Sequence, residues 1–327
     1  MLKLTTYYHA EEIPDNIPGN NFFYSKEMFG YYECTQEYYP VLLVAFDNQT
    51  VIGKILITWH KSTHWFPFSL INHCFAYGTG EYFCSDNVAE YVFSEILDYI
   101  EQTILKQCNF ILFRDLPDSM FGYKVFRSKR YFPVRWMRTL SIIDKKLPLD
   151  ICFNHSRRRQ IKKALKSGAT VHRATGQKDL DDFSLLLRKN YPYKVRKHFP
   201  CIQFLQHSDR VKFNSKNISV YLVKYEDILI GGCVVVYSEN KAYIPFCGGI
   251  RRIYKHQYPG VLALWAALRE VYQKGCESLE YMDAGLPFRH NGFREFVGRF
   301  GAQNESSRRW FHIRHGWLNN LITNLYL

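Results

Sequence analysis

Between His155 and Gly168 the chain carries Ser156, Arg157, Arg158, Arg159, Gln160, Ile161, Lys162, Lys163, Ala164, Leu165 and Lys166, a helical pattern whose cations could hold an anion. At 100° per residue, Ile161, Ala164 and Leu165 form one apolar stripe, and Arg159, Lys162, Lys163 and Lys166 share the opposite face. Ser156 reads as the N-cap and Gly168 as the C′ residue. Lys163 and Lys166 then lie where the helix dipole favours positive charge by roughly 0.3–1 kcal/mol each. Arg157, Arg158 and Arg159 fall in the first turn, where unpaired N–H groups already make a positive pole. A phosphate or carboxylate would relieve that conflict; nearby acidic side chains or water are the alternative. Arg157, Arg158, Arg159 and Lys162 are therefore candidates to bind an anionic substrate.

The balance of charge along the chain points the same way. Of 327 residues, 43 are Lys or Arg and 30 are Asp or Glu. Residues 1–150 hold 14 basic and 17 acidic side chains, and the remainder hold 29 and 13, a net of +16. A nucleic acid, a CoA-like nucleotide or an acidic membrane surface would suit that half. The nine cysteines are scattered without a C-x-x-C pair, which reads as reduced thiols in a cytoplasmic protein. His60 and His64 are spaced like zinc ligands but sit in or beside a strand-like run, so no metal is expected. The start of the chain lacks a signal-peptide pattern, and the longest apolar runs are too short to span a membrane.

The elements that must position these residues occur twice. Val41–Phe46 and Val51–Trp59 form a hairpin joined by Asp47, Asn48, Gln49 and Thr50; Val220–Tyr225 and Ile228–Tyr237 form another, joined at Glu226 and Asp227. Each hairpin is followed by a helix-period stretch, Val88–Lys106 and Val261–Lys274, and then by a strand, Phe110–Phe113 and Leu279–Met282. Short aromatic helices come next, Phe121–Lys129 and Phe293–Phe300, and each copy closes on a strand, Arg138–Ile143 and Trp310–Arg314. The fold class is α/β with a mixed sheet, in two tandem units of residues 1–148 and 149–327. The second adds a helix at Asp179–Lys189 and an insert from Tyr191 to Arg210. Trp317, Leu318, Leu321, Ile322 and Leu325 lie at helical spacing in a tail that either docks on the body or lies at a membrane surface.

A hairpin, a further strand, a helix and a strand, in tandem, resembles the FemAB-like acyltransferases of the GNAT superfamily. Three runs carry the resemblance: Arg157–Val171, Leu262–Gly285 with its Gly275 stop and Met282-Asp283-Ala284-Gly285, and Phe293-Arg294-Glu295-Phe296-Val297-Gly298-Arg299-Phe300-Gly301. It implies two GNAT-like units and a loop that receives the phosphates of an acyl donor. Gln257-Tyr258-Pro259-Gly260-Val261-Leu262 keeps the Gln and first Gly of that loop, but puts Leu in the last place and loses one N–H at Pro259. The alternative is a Pro and Gly that merely start a helix. Gln257, Gly260, Val261, Arg251 and Arg252 are the implied donor-binding residues, beside Lys255 and His256. The donor is acyl-CoA (acetyl-CoA) or aminoacyl-tRNA.

Acyl transfer to an amine needs the amine deprotonated and the carbonyl polarised. Asp283, at the end of the predicted central strand, could orient or deprotonate an ammonium group, or simply cap the turn into Gly285. Tyr281 and Tyr243 could each supply a phenol as acid or donor. Arg114 holds the matching strand end of the first unit, facing a cleft between units or pairing with Asp115 or Asp118. The acceptor implied is a small-molecule or peptidoglycan-precursor amine of the cell envelope. Two alternatives stand: a polyanion-binding module for tRNA or other nucleic acid, and a degenerate acyltransferase that only binds an envelope precursor.

Overall fold

A computed structural model describes residues 2–61, 72–114, 120–190, 216–282 and 284–326. Along the chain the first elements are β1 (Leu2–Tyr7), α1 (Lys26–Glu33), β2 (Tyr38–Asp47), β3 (Thr50–His60), β4 (His73–Tyr77), β5 (Glu81–Tyr82), α2 (Asp86–Tyr99), β6 (Phe110–Arg114), α3 (Tyr123–Ser128) and β7 (Phe132–Ile142). They are followed by α4 (His155–Lys166), β8 (Thr170–Arg173), α5 (Gln177–Asn190), β9 (Ile218–Tyr225), β10 (Ile228–Ser238) and β11 (Lys241–Gly249). The last are α6 (Pro259–Lys274), β12 (Ser278–Tyr281), α7 (Gly292–Gly298), β13 (Gln303–Ile313) and α8 (Gly316–Leu325). They gather into two units, Met1–Trp136 with Ser307–Leu327, and Met137–Ser306.

In the first unit β2 and β3 pair in register from Tyr38↔His60 to Asp47↔Thr50, around a turn that takes Asn48 to φ 54°. β3 pairs antiparallel with β4, and β6 returns parallel to β4 from His73↔Phe110 to Tyr77↔Arg114. A parallel return needs a crossover, which α2 supplies. Val92, Phe93, Ile96 and Leu97 recur at helical spacing and are wholly buried, and a wider turn over Ile100–Ile104 keeps Ile100 and Ile104 inward. Aromatic rings fill the space beneath: Phe126 stacks on Trp310 at 4.7 Å and meets the edge of Phe93 at 5.0 Å.

The second unit repeats the plan with β8 at its outer edge. β9 and β10 turn at Glu226 and Asp227, whose φ values of 49° and 61° match the tight turn that strand twist favours. β11 pairs antiparallel with β10, and α6 carries the chain over to β12, parallel to β11. Gly275, at φ 75°, ends α6 where the sequence places its stop. Leu262, Leu264, Leu268 and Val271 of α6 pack with Val223, Val235, Ile244 and Leu279 of the strands in one core.

The closing strands are exchanged. β6 is flanked by β13, from Trp310↔Phe113 to Ile313↔Phe110, while β12 is flanked by β7, from Ser278↔Ile142 to Tyr281↔Thr139. Each unit thus takes, beside β6 or β12, the strand that the repeat places in the other copy. This differs from the division at residues 148 and 149: the chain leaves the first unit inside β7 and returns to it inside β13. A linear repeat gives no sign of the exchange, because either strand satisfies the same edge pattern.

Candidate functional site

The candidate site lies at the end of β12 in the second unit. β11 follows β10 as far as Gly231↔Gly249 but follows β12 only to Ile244↔Tyr281, where the Met282 N–H donates to the Ile244 carbonyl at 3.1 Å. The register against β10 slips between Val234 and Val236, opposite a stretch of β11 that contains Pro245. Proline has no N–H to give a ladder, so a bulge is where a sheet tolerates it. Among the described residues no pair with β12 lies beyond that point, while 246–249 stays paired to β10. In the first unit the last pair of β4 with β6 among the described residues is Tyr77↔Arg114, and the Gly78 N–H donates to the Arg114 carbonyl at 2.8 Å.

The start of α6 is seated on this overhanging end. A Cβ on Gly249 would lie 2.6 Å from Cβ of Pro259 and 3.0 Å from the Gly260 nitrogen, and one on Gly231 would lie 2.9 Å from Pro259. The two glycines let the helix start reach the strands. Tyr258 precedes the helix in a left-handed conformation, φ 44°, with Pro259 in the first turn. The Val261 and Leu262 N–H groups both turn back to the Tyr258 carbonyl, at 2.9 and 3.0 Å. Val261, expected to offer its N–H to a donor, is therefore engaged, whereas Gly260 gives no hydrogen bond to a backbone carbonyl among the described residues. Gln257 is half-buried, with its N–H on the Tyr254 carbonyl at 3.3 Å, and Cys247 Sγ lies 3.7 Å from the Gly260 carbonyl.

Cations gather beside it. α4 is capped by Asn154, whose Oδ1 accepts from the Arg157 N–H at 2.9 Å, rather than by Ser156. The cap set two residues earlier makes Arg157 the third helical residue and moves Arg158 and Arg159 beyond the first three. Arg157 turns inward: its guanidinium lies 4.6 Å from the Phe296 ring centre and 5.2 Å from that of Phe300, and donates to Gln160 Oε1 at 2.6 Å and the Phe296 carbonyl at 3.3 Å. Burial, with Arg299 and Arg251 nearby, lowers its pKa to about 10. Among the described residues no carboxylate lies within ion-pair distance of Arg157, Arg251 or Arg299. The ring of Phe296 joins this cluster to α6, since its Cζ would stand 3.9 Å from a Cβ on Gly260. Among the described residues these three cations near the N-terminus of α4 have no acidic partner, a setting that suits an anion.

The other candidates fall differently. Arg158, Arg159, Lys162, Arg251 and Arg252 are exposed, and Lys163 Nζ lies 3.4 Å from His256 Nδ1. Leu165, expected in the apolar stripe with Ile161 and Ala164, is exposed. Tyr281 is sealed in the core, its hydroxyl 2.9 Å from Ser141 Oγ and its ring against the edge of Phe293, and burial pushes the phenol well up. As an acid for a reacting group it is out of solvent reach. Arg114, in the first unit, stacks over Phe75 at 4.0 Å and Tyr77 at 4.5 Å. Asp283, Asp115, Asp118, His64 and the insert 191–210 lie outside the described residues. Sequence reasoning missed Arg299 as a site residue, although it stands within the Phe293–Gly301 run, and missed the overhang of β11, which Pro245 and Gly249 could have signalled.

No curated protein sequence matches the chain. Residues 154–290, inside the second unit, match the family described as acetyltransferase (GNAT) domain. Among solved structures, FemX superposes with a TM-score of 0.65 at 12% identity, covering 94% of this chain and 96% of that one. L-PGS from Bacillus licheniformis gives 0.54 at 12%, covering 91% of each chain. A tandem GNAT protein from the clavulanic acid biosynthesis pathway gives 0.53 at 10%, covering 96% of this chain and 99% of that one. The family match covers β11 and β12, and in fold the chain resembles FemX and the tandem GNAT protein, two GNAT-like units in tandem.

Proposed function

We propose that this protein is an N-acyltransferase whose second unit binds the phosphate-bearing end of an acyl donor. The observation that carries the reading is that the described β11–β12 ladder ends at Ile244, with the N-terminus of α6 and Arg157, Arg251 and Arg299 nearby. The strand edge that β12 leaves can receive the acyl group, and the arginines its phosphates. The start of α6 offers fewer backbone N–H groups than a pyrophosphate cradle would use, so cationic side chains carry the contact. That balance favours aminoacyl-tRNA as donor, with phosphates spread along a strand. Gln257 and Gly260, retained from the CoA-binding pattern, support acyl-CoA as the second reading. The acceptor is an amine of a small molecule or a cell-envelope precursor. Asp283, directly after Met282 at the parting point, is proposed to orient that amine and take its proton.

In the first unit the corresponding helix start is ill-suited to an anion. Asp86 stands in the first turn of α2, where its charge repels one. The test is to measure binding of aminoacyl-tRNA and acetyl-CoA to wild type and to Arg251→Glu/Arg299→Glu. Both positions are exposed, so the melting temperature should hold while donor affinity falls by about tenfold or more. Asp283→Asn should lower kcat by roughly a hundredfold with donor affinity intact. Unaltered affinity in the double variant overturns the donor site.

A further inference from the structure

The last helix is turned inside out. α8 packs on the first unit through its polar side chains: Asn319 is 2% exposed and Thr323 7%. Asn319 Nδ2 and Thr323 Oγ1 both donate to the Arg130 carbonyl, at 3.0 and 3.1 Å, and Asn319 Oδ1 accepts from the Ile313 N–H at 3.0 Å. Tyr326 stacks on Phe132 at 5.7 Å. Leu318 and Ile322 are half-buried beside them, but three apolar residues point the other way: Trp317 is 73% exposed, Leu321 55% and Leu325 79%, spaced at every fourth residue along one face. The polar contacts fix the helix in this rotation. Docking on the body, one of the two expectations for the tail, thus leaves an apolar stripe in solvent.

We propose that this stripe is a docking surface for an anionic phospholipid bilayer, lying in the plane of the interface. Charge selects the partner. No residue from Gly316 to Tyr326 carries an acidic or basic side chain. The exposed cations around the helix are Arg314, whose guanidinium reaches the Lys106 carbonyl at 3.0 Å; Lys106 itself; and Arg130, which donates to Asn320 Oδ1 at 2.7 Å. Of the acids behind this end, Asp98 is paired with Lys129, and Glu101 lies 3.5 Å from His312, its pKa raised to about 7 mainly by burial. An apolar stripe headed by a tryptophan and rimmed by cations matches the boundary of acyl chains and anionic headgroups. Area argues against a second copy: three side chains present a few hundred Å², against the roughly 800 Å² per partner that a stable dimer buries. Among the described residues no helix is long and apolar enough to cross a membrane.

The test needs no acyl donor and stands apart from the acyltransferase reading. Wild type should sediment with vesicles of phosphatidylcholine mixed with phosphatidylglycerol, less with phosphatidylcholine alone, and less at high salt. Leu321→Ser/Leu325→Ser should weaken that binding by about tenfold or more with an unchanged melting temperature, since both side chains already face water. Trp317→Phe should keep binding but lose the blue shift of tryptophan emission on adding vesicles. The proposal is overturned if wild type stays in solution, if the serine variant sediments equally, or if light scattering shows a dimer that the serine variant splits.

Discussion

Glu101 and His312 face each other in the first unit, and burial acts against charge on both. Glu101 is raised to about 7 and His312 lowered to about 4. For Glu101 the folded value lies above the unfolded one, so its stabilising share is complete below the ordinary carboxylate range and is lost as pH rises through about 7. For His312 the folded value lies below, so its share is complete above about 6.5 and is lost as pH falls through about 4. Glu101→Gln should therefore flatten only the alkaline side, gaining roughly 1–3 kcal/mol relative to wild type between about pH 5 and pH 8 in urea titrations. An unchanged difference across that range would refute the burial account. The basic run of α4 was legible as a cationic surface through Arg158, Arg159 and Lys162. Its key residue was not, because Asn154 and Ser156 are both good caps and only the first makes Arg157 the residue that turns in beneath Phe296.

At the scale of elements, the contact of α6 with β11 sets the geometry of the donor site. Gly249→Ala should push Pro259 and destabilise the second unit by about 1–3 kcal/mol, with loss of donor binding. Gly260→Ala meets only Phe296 at ordinary contact distance and should fold as wild type. Equal stability of the two variants by urea denaturation would contradict this seating. Hairpins and amphipathic helices were readable because turn residues and a 3.6-residue period leave local marks, as in Glu226-Asp227 and in Val92, Phe93, Ile96 and Leu97. The overhang of β11 was marked only indirectly, by Pro245 and Gly249, because its length depends on where a partner strand stops. The tail helix was readable as apolar at helical spacing, yet its rotation is decided by where Asn319 and Thr323 find a carbonyl.

For the whole molecule, the exchanged strands make each unit depend on a segment far away in the chain. A fragment of residues 1–148 lacks β13 and α8, and one of 149–327 lacks β7. Neither should give a cooperative thermal transition alone, whereas the two mixed should recover one, followed by circular dichroism. Independent folding of either fragment would show that the exchange is dispensable. The order of the elements in two copies was legible, but the pairing of their last members was a matter of three-dimensional choice between equivalent edges. The exchange also sets a clock on biosynthesis. Phe113 leaves the ribosome well before Trp310, its partner on β13, and at ordinary elongation rates β6 waits roughly 10–40 s with one edge unsatisfied. An open β edge kept that long in a crowded cell is a template for the wrong strand, so nascent chains of this protein should depend on a chaperone that shields it until the C-terminus arrives.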